Sequence, residues 1–513
     1  METNCADRHS TWFRGWGLQY SKGEVPYYVY EVFKKSVEEN AQYYSLTNKH
    51  ERSAAFFANA SYSFKGIYTI NGTYRYEGTN KLGKSRQARW LPTWNISAAY
   101  NVHEENFFKS LKPAFSHLSL RASYSLTAER GPSSVTNSRD VIYAGQPWRP
   151  FTSVKENRMY ISRVANMNLT YEKKHELNIG MDLGFIDNRI NITAEWYKRN
   201  NYDLIGYMNT QGLSGEDTKP GNVAEMKSNG VELSISTTNI KNKNFSWTTS
   251  FIYSHTHNEV TKLMNNSNLW RFVSGSGFAR EGYPVRSLFS VQFVGLNSEG
   301  VPQVINHEGK VSSEGTYFQN TTPEGFASLV YSGPAEPTDM GSLGNIFKWK
   351  GLTLNLFVTY SFGNVIRLDR VFSSSYSDLT ATPKEFRNRW MVPGDENRTT
   401  IPAISSRLIN SDSQRSNYTT YIARAYNSYN YSTERVAKGD FIRLKEVSMG
   451  YEFPKKLVKS IKLSNLSLKL QATNLFLLYA DKKLNGQDPE FINSGGVAVP
   501  MAKQFTFTLR VGM

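Results

Sequence analysis

Long apolar runs are missing from these 513 residues. No stretch approaches the roughly 18 to 20 consecutive apolar residues that a membrane-spanning helix requires, so any bilayer crossing must use strands. In lipid, strands are viable only as a closed sheet. Cysteine is nearly absent too: Cys5 is the one thiol, which excludes an internal disulfide and leaves neither a cysteine metal cluster nor a redox pair. The first ten residues lack a basic segment, an apolar segment and a small-residue cleavage site, so no export signal is expected in them. Acidic charge is in the minority, 44 residues against 60 basic, for a net charge of +16. The basic residues are scattered among the acids without a dominant run. That distribution argues against nucleic acid and for anionic lipid headgroups as partner.

Aromatics are abundant: 31 Tyr, 29 Phe and 10 Trp make 14% of the chain, while only 39% is hydrophobic. This mixture is too aromatic for a disordered chain and too polar for a bundle of membrane helices. The dominant pattern is period-2 alternation in segments of about ten residues. Ile190, Ile192, Ala194 and Trp196 alternate with Asn191, Thr193, Glu195 and Tyr197. Leu352, Leu354, Leu356 and Val358 alternate with Thr353, Asn355, Phe357 and Thr359, and the same split recurs near residues 466–473 and 504–511. Successive strand side chains point to opposite faces, so each segment presents one apolar and one polar face.

The pattern predicts about thirteen strands, near residues 54–64, 67–77, 90–102, 118–127, 174–185, 189–200, 227–238, 245–256, 342–349, 352–362, 441–453, 465–474 and 503–513. Between Phe441 and Phe453 the alternation changes phase, which predicts a β-bulge. Connections alternate between short and long. Lys65-Gly66, Ile186 to Asn188, Asn239 to Asn244 and Lys350-Gly351 are tight, and 103–117 and 454–464 are moderate. The long ones fall near 78–89, 128–173, 201–226, 257–341, 363–440 and 475–502. A transmembrane barrel with short periplasmic turns and long extracellular loops has this asymmetry, whereas a sandwich or propeller has no reason for it. Aromatics near strand ends, such as Phe64, Tyr68, Phe185, Tyr360 and Tyr451, fit interfacial girdles. The expected fold is therefore all-β, a transmembrane antiparallel barrel wall over residues 54–513, preceded by an extracellular loop at 1–53.

Several segments then resemble the SusC/RagA branch of TonB-dependent transporters. They are Asn168 to Phe185 with Asn188 to Asn191 and Trp196 to Lys198, Gly282 to Val285, Gly341 with Gly344-Asn345, Asn388 to Asp395, Gly439 to Val447, Asn474 to Phe476, and Asp488 to Glu490. The resemblance covers most of the chain, and its landmarks come in the usual order. It implies the C-terminal part of a plugged barrel of about 22 strands, a TonB box energised through TonB-ExbB-ExbD, and a SusD-like lipoprotein over the extracellular face. It further implies an importer of oligosaccharides or peptides. No plug or TonB box is recognised before the first predicted strand, and the last residue is Met513 where the family usually ends on an aromatic. If the final strand runs toward the periplasm, thirteen alternating strands make the first run the same way, so at least one more strand is expected upstream.

Catalytic patterns are missing: there is no HExxH, P-loop, Gly-x-Ser-x-Gly or paired-Cys motif. His255 and His257 share a strand face but lack a third ligand, and Asp395, Glu396, Asp481 and Asp488 lack calcium-loop spacing, so no metal and no cofactor is expected. The expected lumen-facing residues, taken from the polar register, are Asn178, Asp182, Asn191, Thr193, Glu195, Glu232, Lys469 and Arg510. Trp148, Trp270, Tyr376 and Trp390 lie in long loops and are candidates to contact substrate, or else to hold those loops together. The expected function is non-enzymatic nutrient import. The alternatives are a surface glycan-binding or adhesive β-protein and a passive porin.

Overall fold

The computed structural model describes residues 2–13, 44–80, 89–112, 114–130, 141–145, 158–163, 166, 168–209, 218–264, 267–371, 382–404, 416–492 and 502–512. Fourteen strands form one sheet, each bonded to its neighbours in chain order. They are β1 (Glu2–Phe13), β2 (Tyr44–Phe64), β3 (Tyr68–Thr79), β4 (Trp90–Asn101), β5 (Phe115–Glu129), β6 (Glu172–Phe185) and β7 (Ile190–Asn209). The rest are β8 (Thr218–Lys241), β9 (Phe245–Leu263), β10 (Asp339–Trp349), β11 (Leu352–Phe362), β12 (Phe441–Glu452), β13 (Asn465–Ala480) and β14 (Gln504–Gly512). Every pairing is antiparallel, and β1 and β14 are unjoined edges among the described residues.

Strands β2 to β14 coincide with the thirteen predicted segments. The first strand is a correction. Residues 1–53 read as a loop, yet Glu2–Phe13 pairs residue for residue with Tyr44–Ala55. The sequence there, Glu-Thr-Asn-Cys-Ala-Asp-Arg-His-Ser, is polar on both faces and shows no period-2 contrast. With fourteen strands the parity argument for a missing strand lapses, and the two open edges take its place.

Four strands also run well past their expected lengths: β2, β7, β8 and β9 have 21, 20, 24 and 19 residues. About 9 to 11 residues cross a bilayer, so these strands continue well past such a span. In the extension Asn200, Asn201 and Asp203 interrupt the apolar alternation, while Ile205 packs on Leu169 and Tyr171 and Asn222 bonds the Thr170 backbone. Irregularities around Asn222 and Ala224 bend this part of the β7–β8 ladder.

The tight turns lie where they were expected. Lys65 and Gly66 take left-handed φ values of 52° and 71°, and Ile186, Asp187 and Asn188 take 52°, 54° and 58°. The predicted phase change in β12 is a bulge: Phe357 pairs with Glu446 and Val358 with Leu444, leaving Lys445 as the extra residue.

At the opposite end, the long segments fold on each other. A short helix (Leu269–Val273) and the paired strands Ser287–Val291 and Leu329–Pro334 share a core of Leu269, Phe272, Phe289, Val291, Phe318 and Tyr431. Tyr431 comes from the 363–440 segment, so the two longest loops form one packed body. Strand Val365–Arg367 pairs with Val436–Lys438 and closes it against the sheet.

Candidate functional site

Cross-strand pairing puts all eight expected polar-register residues on one face of the sheet. Asp182 lies opposite Thr193, and Glu195 opposite both Gly180 and Glu232. Asn178 lies opposite Tyr197, and Asn191 opposite Gly184. On the later strands, Lys469 lies opposite Gly450 and Arg510 opposite Ser467. Ile192, on the reverse face, is flanked by Leu183 and Ile235. The polar face is interrupted by Ile252, Met340 and Phe357, which the pairing places among its serines and threonines.

Arg121, which sequence reasoning did not single out, joins three of the expected residues. Its Nε lies 2.9 Å from Asp182 and its Nη2 2.9 Å from Glu195. The Thr193 hydroxyl donates to Asp182 at 2.8 Å. The guanidinium reaches Glu195 by passing over Gly180, where a Cβ would sit 3.3 Å from its Nη2. A lone arginine on β5 gives no motif; the signal was an acidic pair in register on β6 and β7, needing a cation opposite. Further round the sheet, Lys469 stands 4.0 Å from Glu446, to which Asn355 donates at 3.3 Å.

On the same face, beneath the loop body, lies a cavity of about 580 Å³. Met340, Thr359 and Ser361 line it from the sheet, and Arg286, Arg367 and Glu490 from the loops. The bulged Lys445 also lines it and donates to Glu490 at 3.2 Å. Arg443, nearly buried, grips Asp488 and lies 2.8 Å from Glu490, which ties the 475–492 segment to β12. Arg367 is buried and donates to the carbonyls of Ser432 and Phe289 and to the Ser290 hydroxyl. Burial pushes its guanidinium down to about 9, still charged at neutral pH. It clamps the loop body by carbonyls in place of a carboxylate.

The four loop aromatics separate. Trp148 and Tyr376 lie outside the described residues. Trp270 is 37% exposed and rests edge-on against Phe318 and Tyr431, with the Arg370 guanidinium over its ring. Trp390 is only 7% exposed and packs with Leu296 and Ala403. Its indole N–H donates to Glu396 at 3.0 Å, so it serves the loop's own packing. Asp395 accepts the backbone N–H groups of Met391 and Val392, and Gly394 turns at φ 102°. The Trp-Met-Val-Pro-Gly-Asp-Glu run is thus a self-capped turn. Those N–H groups hold the Asp395 carboxyl below its usual range, and the Trp390 indole does the same for Glu396.

Asp481 caps the N–H groups of Lys438 and Lys483, and His255 hydrogen-bonds Asp339, so these candidates are spent on protein contacts. Among the described residues no cluster of three or more metal-ligating side chains occurs.

One continuous antiparallel sheet, apolar on one face, polar and charged on the other, with turns at one end and a folded loop body at the other, defines the wall of a transmembrane-type β-barrel. The chain belongs to the TonB dependent receptor-like, beta-barrel family, whose family model matches residues 2–381. That is a family of outer-membrane transport receptors, so the chain is not an enzyme. The TonB-dependent receptor SusC of Bacteroides thetaiotaomicron is 24% identical over 473 residues, 90% of this chain and 43% of SusC. TonB-dependent receptor P39 of Formosa agariphila is 24% identical over 490 residues, 87% of this chain and 44% of that protein. The solved structure of the RagAB peptide transporter superposes with a TM-score of 0.72 at 20% identity, covering 92% of this chain and 48% of that one. The chain therefore spans less than half the length of the curated relatives it matches, and shares a fold with the RagAB transporter.

Proposed function

We propose that this chain forms part of the wall and mouth of an outer-membrane, TonB-dependent importer of the SusC kind. In this reading the polar face lines the lumen, with Asn178, Asp182, Asn191, Thr193, Glu195, Glu232, Lys469 and Arg510 on the transport path. The apolar face meets lipid, and the loop body is extracellular. A SusD-like lipoprotein sits over the loop body, TonB-ExbB-ExbD supplies energy through the plug of the complete protein, and the cargo is an oligosaccharide or a peptide. The observation that carries the reading is that the charged register and the 580 Å³ mouth cavity lie on one face of one family-matched sheet. The RagAB neighbour, described as a peptide transporter, favours peptides. Of the candidate loop aromatics among the described residues, Trp270, partly exposed at the loop body, is the one available to cargo.

The test uses the full-length transporter purified from native membranes in mild detergent. Recovery of a lipoprotein partner, together with peptide or glycan uptake that stops when the proton gradient is collapsed, is the expected result. Recovery of neither leaves the adhesive reading standing, and uptake indifferent to the gradient leaves the porin reading.

A further inference from the structure

On the apolar face of β3 to β8 the wall is notched. One cross-strand row runs Ile70, Ala98, Ala122, Ile179, Trp196, Val231, with each residue opposite the next. The alanines set the floor low between Ile70 on one side and Ile179 and Trp196 on the other, and all three walls are exposed. The resulting trough has a volume of about 670 Å³ and crosses six strands, roughly 24 Å at about 4.8 Å per step. That length matches one extended acyl chain.

Tyr68 and Tyr100 line the end of the trough nearest the short turns, and their rings stack 4.9 Å apart. Both hydroxyls donate to Glu105, at 2.7 and 3.4 Å, which fixes a carboxylate at the mouth of an apolar channel. The turn that carries Glu105 exposes Phe107 and Leu111 beside Lys109 and Lys112. Exposed apolar side chains alternating with lysines mark a segment at a membrane interface, where lysine stems lie along apolar surface and their ammonium groups reach water. A carboxylate at the trough's mouth, on a turn that also carries two exposed lysines, complements a zwitterionic lipid.

We propose that this trough is a binding site for one phosphatidylethanolamine of the periplasmic leaflet. One acyl chain lies along Ala98 and Ala122, the ammonium rests on Glu105, and the phosphate faces Lys109 and Lys112. The proposal rests on the reading that the apolar face meets lipid.

The full-length transporter, extracted in mild detergent, would be analysed by native mass spectrometry and by lipid extraction. One retained phosphatidylethanolamine per barrel is expected. Ala122→Trp, which fills the trough, should lower its retention at least about tenfold, a difference near 1.4 kcal/mol. Glu105→Gln should remove the preference for phosphatidylethanolamine over phosphatidylglycerol while chain binding persists. Soluble glycerophosphoethanolamine, a headgroup without chains, should not displace the lipid. Equal retention in Ala122→Trp and the unaltered protein overturns the proposal, as does a headgroup preference that survives Glu105→Gln. Should Ala122→Trp not assemble, exchange of the unaltered barrel between nanodiscs of the two lipids decides: no enrichment of phosphatidylethanolamine overturns it. Membrane fractionation and the heat-modifiable gel band are scored separately. Loss of those overturns the barrel reading, and loss of lipid alone overturns only this inference.

Discussion

Two arginines show how the same ion pair differs with its surroundings. Arg121 keeps 43% of its side chain exposed, and its partners Asp182 and Glu195 keep 31% and 27%. Water screens such a network, so Arg121→Ala should cost no more than about 1 kcal/mol. Arg443 keeps only 4% and Asp488 9%, so Arg443→Ala strands a buried carboxylate and should cost about 3 to 5 kcal/mol. Denaturant unfolding of the full-length transporter in detergent compares them; equal costs would contradict the burial argument. The Trp390 turn makes a pH prediction of fixed sign. Asp395 and Glu396 have folded values depressed by hydrogen bonds, so their contribution is complete above the usual carboxylate range near 4. It is lost as pH falls through the depressed values. The Trp390 emission, taken as the difference from Trp390→Phe, should hold steady from neutral pH to about 5 and redshift below about 4. A transition centred near pH 6 would contradict the assignment.

Individual strands were legible where one face is apolar and the other polar. Ile190 to Tyr197 needed nothing but its alternation, and the phase slip after Leu444 announced the bulge at Lys445. Glu2–Phe13 was not legible because its sequence carries no period-2 contrast, and the outer halves of β7 to β9 were missed because polar residues such as Asn200, Asn201 and Asp203 interrupt theirs. The site divides in the same way. Asp182, Thr193 and Glu195 follow from register, whereas Arg121 becomes meaningful only once β5 lies beside β6. Trp390 carried no sign in the sequence that Glu396 would hold its indole. The bulge gives a test of its own: because Lys445 is the extra residue, deleting it should leave Glu446 and Ser448 on the polar face and Val447 and Met449 on the apolar one. A deletion variant that keeps the native heat-modifiable band but exchanges cysteine accessibility between residues 447 and 448 would contradict the bulge.

At the scale of the molecule, an open sheet cannot remain in a bilayer. Among the described residues the edges β1 and β14 carry unpaired backbone groups, each costing several kcal/mol in hydrocarbon, against a typical stability of about 5 to 15 kcal/mol. We expect closure by the remaining strands of the full-length relatives' barrel. The 513 residues expressed alone with an export signal should give no monomeric heat-modifiable barrel, and a stable monomer that imports cargo would contradict this. The central claim, that one face meets lipid and the other an aqueous lumen, is tested most directly by adjacent residues on β7. In the full-length transporter, Ile192→Arg should destabilise by roughly 2 to 4 kcal/mol near the bilayer midplane, while Thr193→Arg should cost far less. That ordering, read from unfolding in lipid bilayers, is what the account predicts; equal costs, or the reverse order, would contradict it.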